Sequence, residues 1–199
     1  MAEQPLFPLH TVLFPDGLLE LKIFEARYLD LMSRCLRERV PFGVVALRSG
    51  REARAAPGEA VQLHEIGTFA ELMDVDSAQS GILLVRCRGT SRFAVGATRQ
   101  EKDGLWVAAT TPIADDPPVA PAPGHADAVR HLADAIAALA AQGATPFLAP
   151  HRLDDAGWVA NRWCEVLPLP LEVRQRLMAL ADPLARLDLV ESLRSRAVS

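Results

Sequence analysis

Five histidines, three cysteines and two lysines are the side chains from which this 199-residue chain could build a reactive centre. A Ser–Lys dyad needs a lysine buried enough to lose its proton near neutral pH, beside a serine. Lys22 falls at the end of a predicted strand and Lys102 in the charged turn Glu101-Lys102-Asp103-Gly104, so both read as solvated. His125 and His131 are six apart, which on a helix sets them on opposite sides and rules out one shared metal. His10, His64 and His151 stand near no carboxylate or cysteine cluster at ligand spacing, and all five histidines read as structural. Cys35, Cys87 and Cys164 form no CxxC and lie in apolar surroundings, where a thiol behaves as a small hydrophobe. There is no GxxxxGK[ST], no GxGxxG after a strand and no GxSxG. A phosphate-cradling loop, a dinucleotide site and a nucleophile elbow are therefore not expected, nor is any metal or cofactor.

Two groups of residues suggest binding instead. Arg86, Arg88, Arg92, Arg99 and Lys102 stand against Glu101 alone between positions 84 and 102. Such a stripe could meet phosphates, which makes Arg86, Arg88 and Arg92 the nucleic-acid candidates. Stacking aromatics are scarce nearby, so a solvated outer face of a strand ribbon is the favoured reading. The corner Phe24-Glu25-x-Arg27 is the peptide-binding candidate, because sheet edges and apolar grooves accept extended chains through main-chain bonds. The competing reading makes Phe24 core, with Glu25 and Arg27 paired to each other or to nearby backbone. Trp158 and Trp163, five apart on a predicted helix, read as core.

The elements that would position these residues fall into two parts. Hydrophobic residues make up 50% of the chain and the net charge is −4, so a sizeable core is available and no global field draws the protein to nucleic acid. The stretch Asp115 to Gly124 holds four prolines, which supply no backbone donors, and is expected as a stiff linker. We therefore expect an α+β fold, with a β domain over residues 1–116, a Pro-rich linker over 117–124 and a helical subdomain over 125–199. In the first part, Leu6 to Leu13 is broken by Pro8 and reads as an edge or bulged strand. A turn at Pro15-Asp16-Gly17 leads to a strand over Leu18 to Ile23. Helical spacing of Tyr28, Leu29, Met32, Cys35 and Leu36 predicts a helix over Glu25 to Arg37. Strands are predicted over Phe42 to Leu47, Val61 to Val75, Gly81 to Arg88, Arg92 to Arg99 and Leu105 to Ile113, with a loop over 48–60. An antiparallel sheet curled into a partial barrel accommodates them. The second part shows helices carrying Val129 to Leu139, Trp158 to Leu167, Leu171 to Leu180 and Leu184 to Leu193. Gly143, Asp154 or Asp155, and Asp182-Pro183 are their capping signals.

The opening run Leu6-Phe7-Pro8-Leu9, Val12-Leu13-Phe14-Pro15, Leu18 to Leu21 and Ile23-Phe24-Glu25-Ala26-Arg27-Tyr28 resembles the signature of the LON substrate-binding domain, approximately LFPL-x-x-VLFPG-x-x-LPL-x-IFEPRY. Phe42-Gly43-Val44-Val45, Ile66-Gly67-Thr68-Phe69-Ala70 and Gly89-Thr90-Ser91-Arg92-Phe93 fall where that family has strand blocks, and Leu167-Pro168-Leu169 resembles its helical tail. Two positions depart from the pattern: Asp16 replaces a turn glycine and Ala26 replaces a proline. The resemblance implies a PUA-like pseudobarrel followed by a helical bundle. It further implies a non-catalytic module that binds unfolded or specific client proteins, as the region does in full-length Lon proteases, with a separate ATPase or protease as a candidate partner; cereblon carries a related domain. The chain reads as a stand-alone module, ending before an ATPase would begin. RNA binding through a PUA-like surface and a cryptic hydrolase are the alternatives. The N-terminus lacks a basic segment and long apolar run, and no stretch reaches about 18 apolar residues, so a cytoplasmic, non-membrane protein is expected.

Overall fold

The computed structural model describes residues 2–50, 52 and 61–198, which divide into two compact units, residues 1–114 and 115–199. In the first unit, strands β1 (Ala2–Leu9) and β2 (Leu18–Ile23) precede helix α1 (Ala26–Glu38). Strands β3 (Phe42–Ser49), β4 (Gln62–Gln79), β5 (Ile82–Gln100) and β6 (Trp106–Pro112) follow. The expected loop over 48–60 lies outside the described residues from 53 onward and at 51, while β3 itself takes in Arg48 and Ser49.

The sheet order is β2-β5-β4-β3-β1-β6, and β6 pairs again with β5, so the sheet curls back on itself. Most pairs are antiparallel, but β1 and β3 are parallel. Parallel neighbours need a crossover, and α1 lies in the connection between these two strands. Strand β1 is not the free edge that its prolines suggested. Residues 2–6 pair with β6 and residues 6–9 with β3, so only Leu6 stands in both ladders. Pro5 and Pro8 each have a neighbour on one side only, where a missing N–H is tolerated.

Buried on both faces, β1 and β3 separate two apolar clusters. Phe7, Leu9, Phe42 and Val44 join Tyr28, Leu31, Met32 and Cys35 of α1, while Leu6, Val45, Phe93 and Ala108 form the second cluster. The Phe7 and Tyr28 rings stack at 3.9 Å. The ring of Phe93 crosses the backbone at Gly43 and Gly67, where an added Cβ would stand 2.8 and 2.5 Å from its Cζ. The two strands predicted for 81–88 and 92–99 are one continuous β5, whose first half pairs with β2 and second half with β6. Ala97, expected inward, is exposed; a register shift between Val95 and Thr98 interrupts the alternation.

The second unit holds α2 (Ala126–Ala141), α3 (Ala156–Val166), α4 (Leu171–Ala179) and α5 (Pro183–Val198). Asp155 Oδ1 caps α3 by accepting from Trp158 N at 3.1 Å, and Asp182 Oδ1 caps α5 by accepting from Leu184 N at 2.9 Å. Gly143 follows α2 with φ of 77°. The Pro-rich segment belongs to this unit and is held within it. Buried Arg186 donates through Nη1 to Asp116 Oδ2 at 2.6 Å and to Asn161 Oδ1 at 3.0 Å, and Val119 O accepts from Ala156 N at 2.8 Å.

Candidate functional site

The corner where β2 passes into α1 brings together Phe24, Glu25 and Arg27. Glu25 is the N-cap of α1 with extended backbone, but its carboxylate does not cap the helix. It turns to Arg27 instead, with Oε2 2.8 Å from Nη2. Arg27 is 6% exposed and donates through Nη1 to Gly104 O at 2.7 Å, fastening the start of α1 to the turn before β6. Its guanidinium also lies 4.5 Å from the centroid of the Tyr28 ring, whose hydroxyl burial pushes up to about 12. Arg27 is thus committed to structure. Phe24 is not core: it is 65% exposed. The corner therefore divides into a buried ionic anchor and one outward aromatic ring.

Phe24 follows directly on the last position of the β2–β5 ladder, where Ile23 faces Leu83. Six consecutive pairs from Leu18↔Arg88 to Ile23↔Leu83 run without a register shift, and among the described residues no strand pairs with the other side of β2. The distal half of β4 is the opposite free edge of this ribbon, but it differs in two ways. It carries register shifts at Leu72/Asp74 and Ser77/Gln79, and it bears Glu71, Asp74 and Asp76. Bulges and charges of this kind discourage further strand pairing. The regular edge is β2.

The outer face of the ribbon holds Arg86 and Arg88, but not as a free basic stripe. Arg86 Nε lies 3.3 Å from Glu20 Oε1 and stands opposite Asp74, while Arg88 pairs with Asp16 and stands opposite Glu71. With Lys22 and Asp76 added, acids outnumber bases on this face. Arg92 does not share it: at 3% exposure it is buried, and Nη2 donates to Ala114 O at 3.4 Å. A register shift against β4 between Gly89 and Arg92 breaks the alternation ahead of position 92. Arg99 is held between Glu3 and Glu101. Such a surface has little to draw a phosphate backbone.

Asp16, the departure from the family turn, has φ of 59°, the left-handed region that a glycine would occupy freely. Its carboxylate accepts from Arg88 Nε at 3.0 Å, which ties the turn to β5. Ala26 opens α1 at the position where the family pattern has proline.

The remaining candidates are structural in their surroundings. Lys22 and Lys102 are both exposed. Ala122 N donates to His125 Nδ1 at 3.2 Å, so Nε2 carries the proton towards Asp188 Oδ1 at 2.7 Å. Trp158 is buried, and Trp163 Nε1 donates to Ala128 O at 3.1 Å. Burial pushes the Cys87 and Cys164 thiols up to about 12, the reverse of nucleophile activation. Among the described residues, no group of His, Cys, Asp or Glu is arranged to hold a metal ion, and no helix is long and apolar enough to cross a membrane.

A mixed six-stranded sheet with a helix in its crossover, followed by several helices, defines a Lon N-terminal-domain fold. The crystal structure of a Lon N-terminal domain protein from Xanthomonas campestris superposes with a TM-score of 0.78 at 31% identity, covering 96% of this chain and 98% of that one. The N-terminal domain of Mycobacterium avium complex Lon protease shares the fold with a TM-score of 0.68 at 14% identity, covering 98% of each chain. Residues 3–195 match the family profile of the ATP-dependent protease La (LON) substrate-binding domain, and the chain belongs to that family. Lon protease 4 of Sorangium cellulosum (strain So ce56) is 37% identical over 108 residues, which make up 54% of this chain and 13% of that protein.

Proposed function

We propose that this protein is a non-catalytic client-recognition module of the cytoplasm, which captures extended or unfolded segments and leaves their hydrolysis to a separate ATPase and protease. The observation that carries the reading is the pairing of a regular free strand edge, β2, with the exposed ring of Phe24 at its end. A client strand laid along β2 gains main-chain bonds regardless of its sequence, and Phe24 offers an apolar side chain to whatever residue lies beside it. Glu25 and Arg27 act indirectly, by fixing the corner from which Phe24 projects.

Fluorescence anisotropy with a labelled, permanently unfolded polypeptide tests this. Burying the exposed part of a Phe contributes about 1–2 kcal/mol, so Phe24→Ser should weaken binding by roughly 5- to 30-fold with thermal stability unchanged. No binding by the native protein, or equal binding by the variant, contradicts the proposal.

A further inference from the structure

The free edge that serves client capture in this reading is also complementary to itself. The six residues Leu18-Leu19-Glu20-Leu21-Lys22-Ile23 alternate strictly between the two faces of the ribbon, and Phe24 follows directly on them. Glu20 and Lys22 share the outer face, while Leu19, Leu21 and Ile23 pack towards the apolar cluster beneath. Antiparallel strands place directly opposed residues on one face, so a second copy of this strand can be set against the first about a two-fold axis through Leu21. That register puts Glu20 opposite Lys22 of the second copy, and Lys22 opposite its Glu20. The same register sets Leu19 against Ile23 on the inner face. Just past the strand end it brings exposed Phe24 close to Leu18 of the second copy. Every position of the strand meets a compatible partner, and no like charges are opposed. A shift by two residues in either direction loses at least one of the two ion pairs.

We infer that β2 is a homodimerisation edge, in which two copies of this chain join their sheets through antiparallel β2–β2 pairing, and that a bound client displaces the second copy. The second copy is favoured over other occupants by this charge order: a client of arbitrary sequence supplies the main-chain bonds but not both reciprocal ion pairs. The distal edge of β4 offers no equivalent, because its bulges break the ladder and Glu71, Asp74 and Asp76 would oppose like charges in a symmetric pairing. One short strand per copy makes a small interface, so the dimer is weak and concentration-dependent. Dimerisation would cover Phe24 and β2 in storage and release them on dilution or on arrival of a client.

Sedimentation velocity over a concentration series tests the inference without any client. Glu20→Lys opposes lysine to Lys22 twice in the symmetric dimer, and Lys22→Glu opposes two glutamates twice. Each variant alone should self-associate roughly 10- to 30-fold more weakly than the native chain. An equimolar mixture of the two restores opposite charges at both positions and should recover association, which a merely structural defect in either variant would not allow. Circular dichroism confirms that both variants fold. A native chain that stays monomeric at its highest soluble concentration, or a mixture no better than its components, overturns the inference. Either result leaves the client reading standing, because that rests on the anisotropy measurement.

Discussion

Gly89→Ala is expected to be the most damaging conservative change in the sheet unit. Gly89 lies where β5 crosses the turn between β1 and β2. An added Cβ would fall far inside van der Waals contact of the Phe14 carbonyl oxygen and 3.0 Å from Leu13 Cγ. Backbone cannot yield as a side-chain tip does, so the turn must move. Two main-chain bonds hold it there, Asp16 N to Gly89 O at 2.8 Å and Gly89 N to Gly17 O at 2.9 Å. Losing both costs about 2 kcal/mol, and overpacking adds about 1–3 kcal/mol; partial relaxation brings the total to about 3 kcal/mol. For a unit of this size that is a fall in Tm of roughly 10–15 °C. Urea and thermal denaturation followed by circular dichroism measure it, with Gly124→Ala, where nothing lies within 4 Å of the new Cβ, as the control. A Gly89→Ala variant within about 2 °C of the native Tm would refute the reasoning, since a clash with backbone cannot be that cheap.

Arg27→Met should destabilise the sheet unit by about 2 kcal/mol, because Gly104 O and Glu25 lose their buried donor; Arg27→Lys should recover little, since an ammonium cannot span both. Urea midpoints check this, and a neutral Arg27→Met would show the anchor to be idle. Burial raises the Cys87 and Cys164 thiols from 9.0 to about 12 and the Tyr28 hydroxyl from 10.0 to about 12. Folding therefore favours their protonated forms, and this contribution is complete below about pH 9 and lost progressively between there and pH 12. A urea midpoint that holds up to about pH 9 and then declines bears this out; rapid reaction of the native thiols with Ellman's reagent at neutral pH would contradict it.

The elements themselves were legible because local chemistry marks them. Asp155 and Asp182 announced their helices, Gly143 ended another, and the spacing of Tyr28, Met32 and Cys35 gave α1 within a residue or two. The family blocks were legible for a reason the structure supplies. Gly43, Gly67 and Phe93 meet around one ring, while Thr68 Oγ1 donates to Leu13 O at 2.7 Å and Gly89 receives the following turn. Partner choice was not legible. Pro5 and Pro8 signal a missing ladder bond, but nothing local says that two different strands flank the two halves of β1. Gly89 read as a break between strands because a close approach to distant backbone leaves the same mark as a turn. The acids that face the arginine stripe were not legible either: Glu20, Glu71 and Asp74 come from other strands and Asp16 from the turn before β2. Arg27 and Glu25 were found as a pair, whereas the free regular edge of β2 beside them depends on the whole sheet order.

Hydrogen–deuterium exchange, read by mass spectrometry on dilute protein with and without an unfolded polypeptide, tests most directly whether β2 is where clients bind. Slower exchange concentrated over residues 18–24 is the predicted result, with the distal half of β4 unchanged. Client binding that leaves residues 18–24 as fast as before would contradict the assignment.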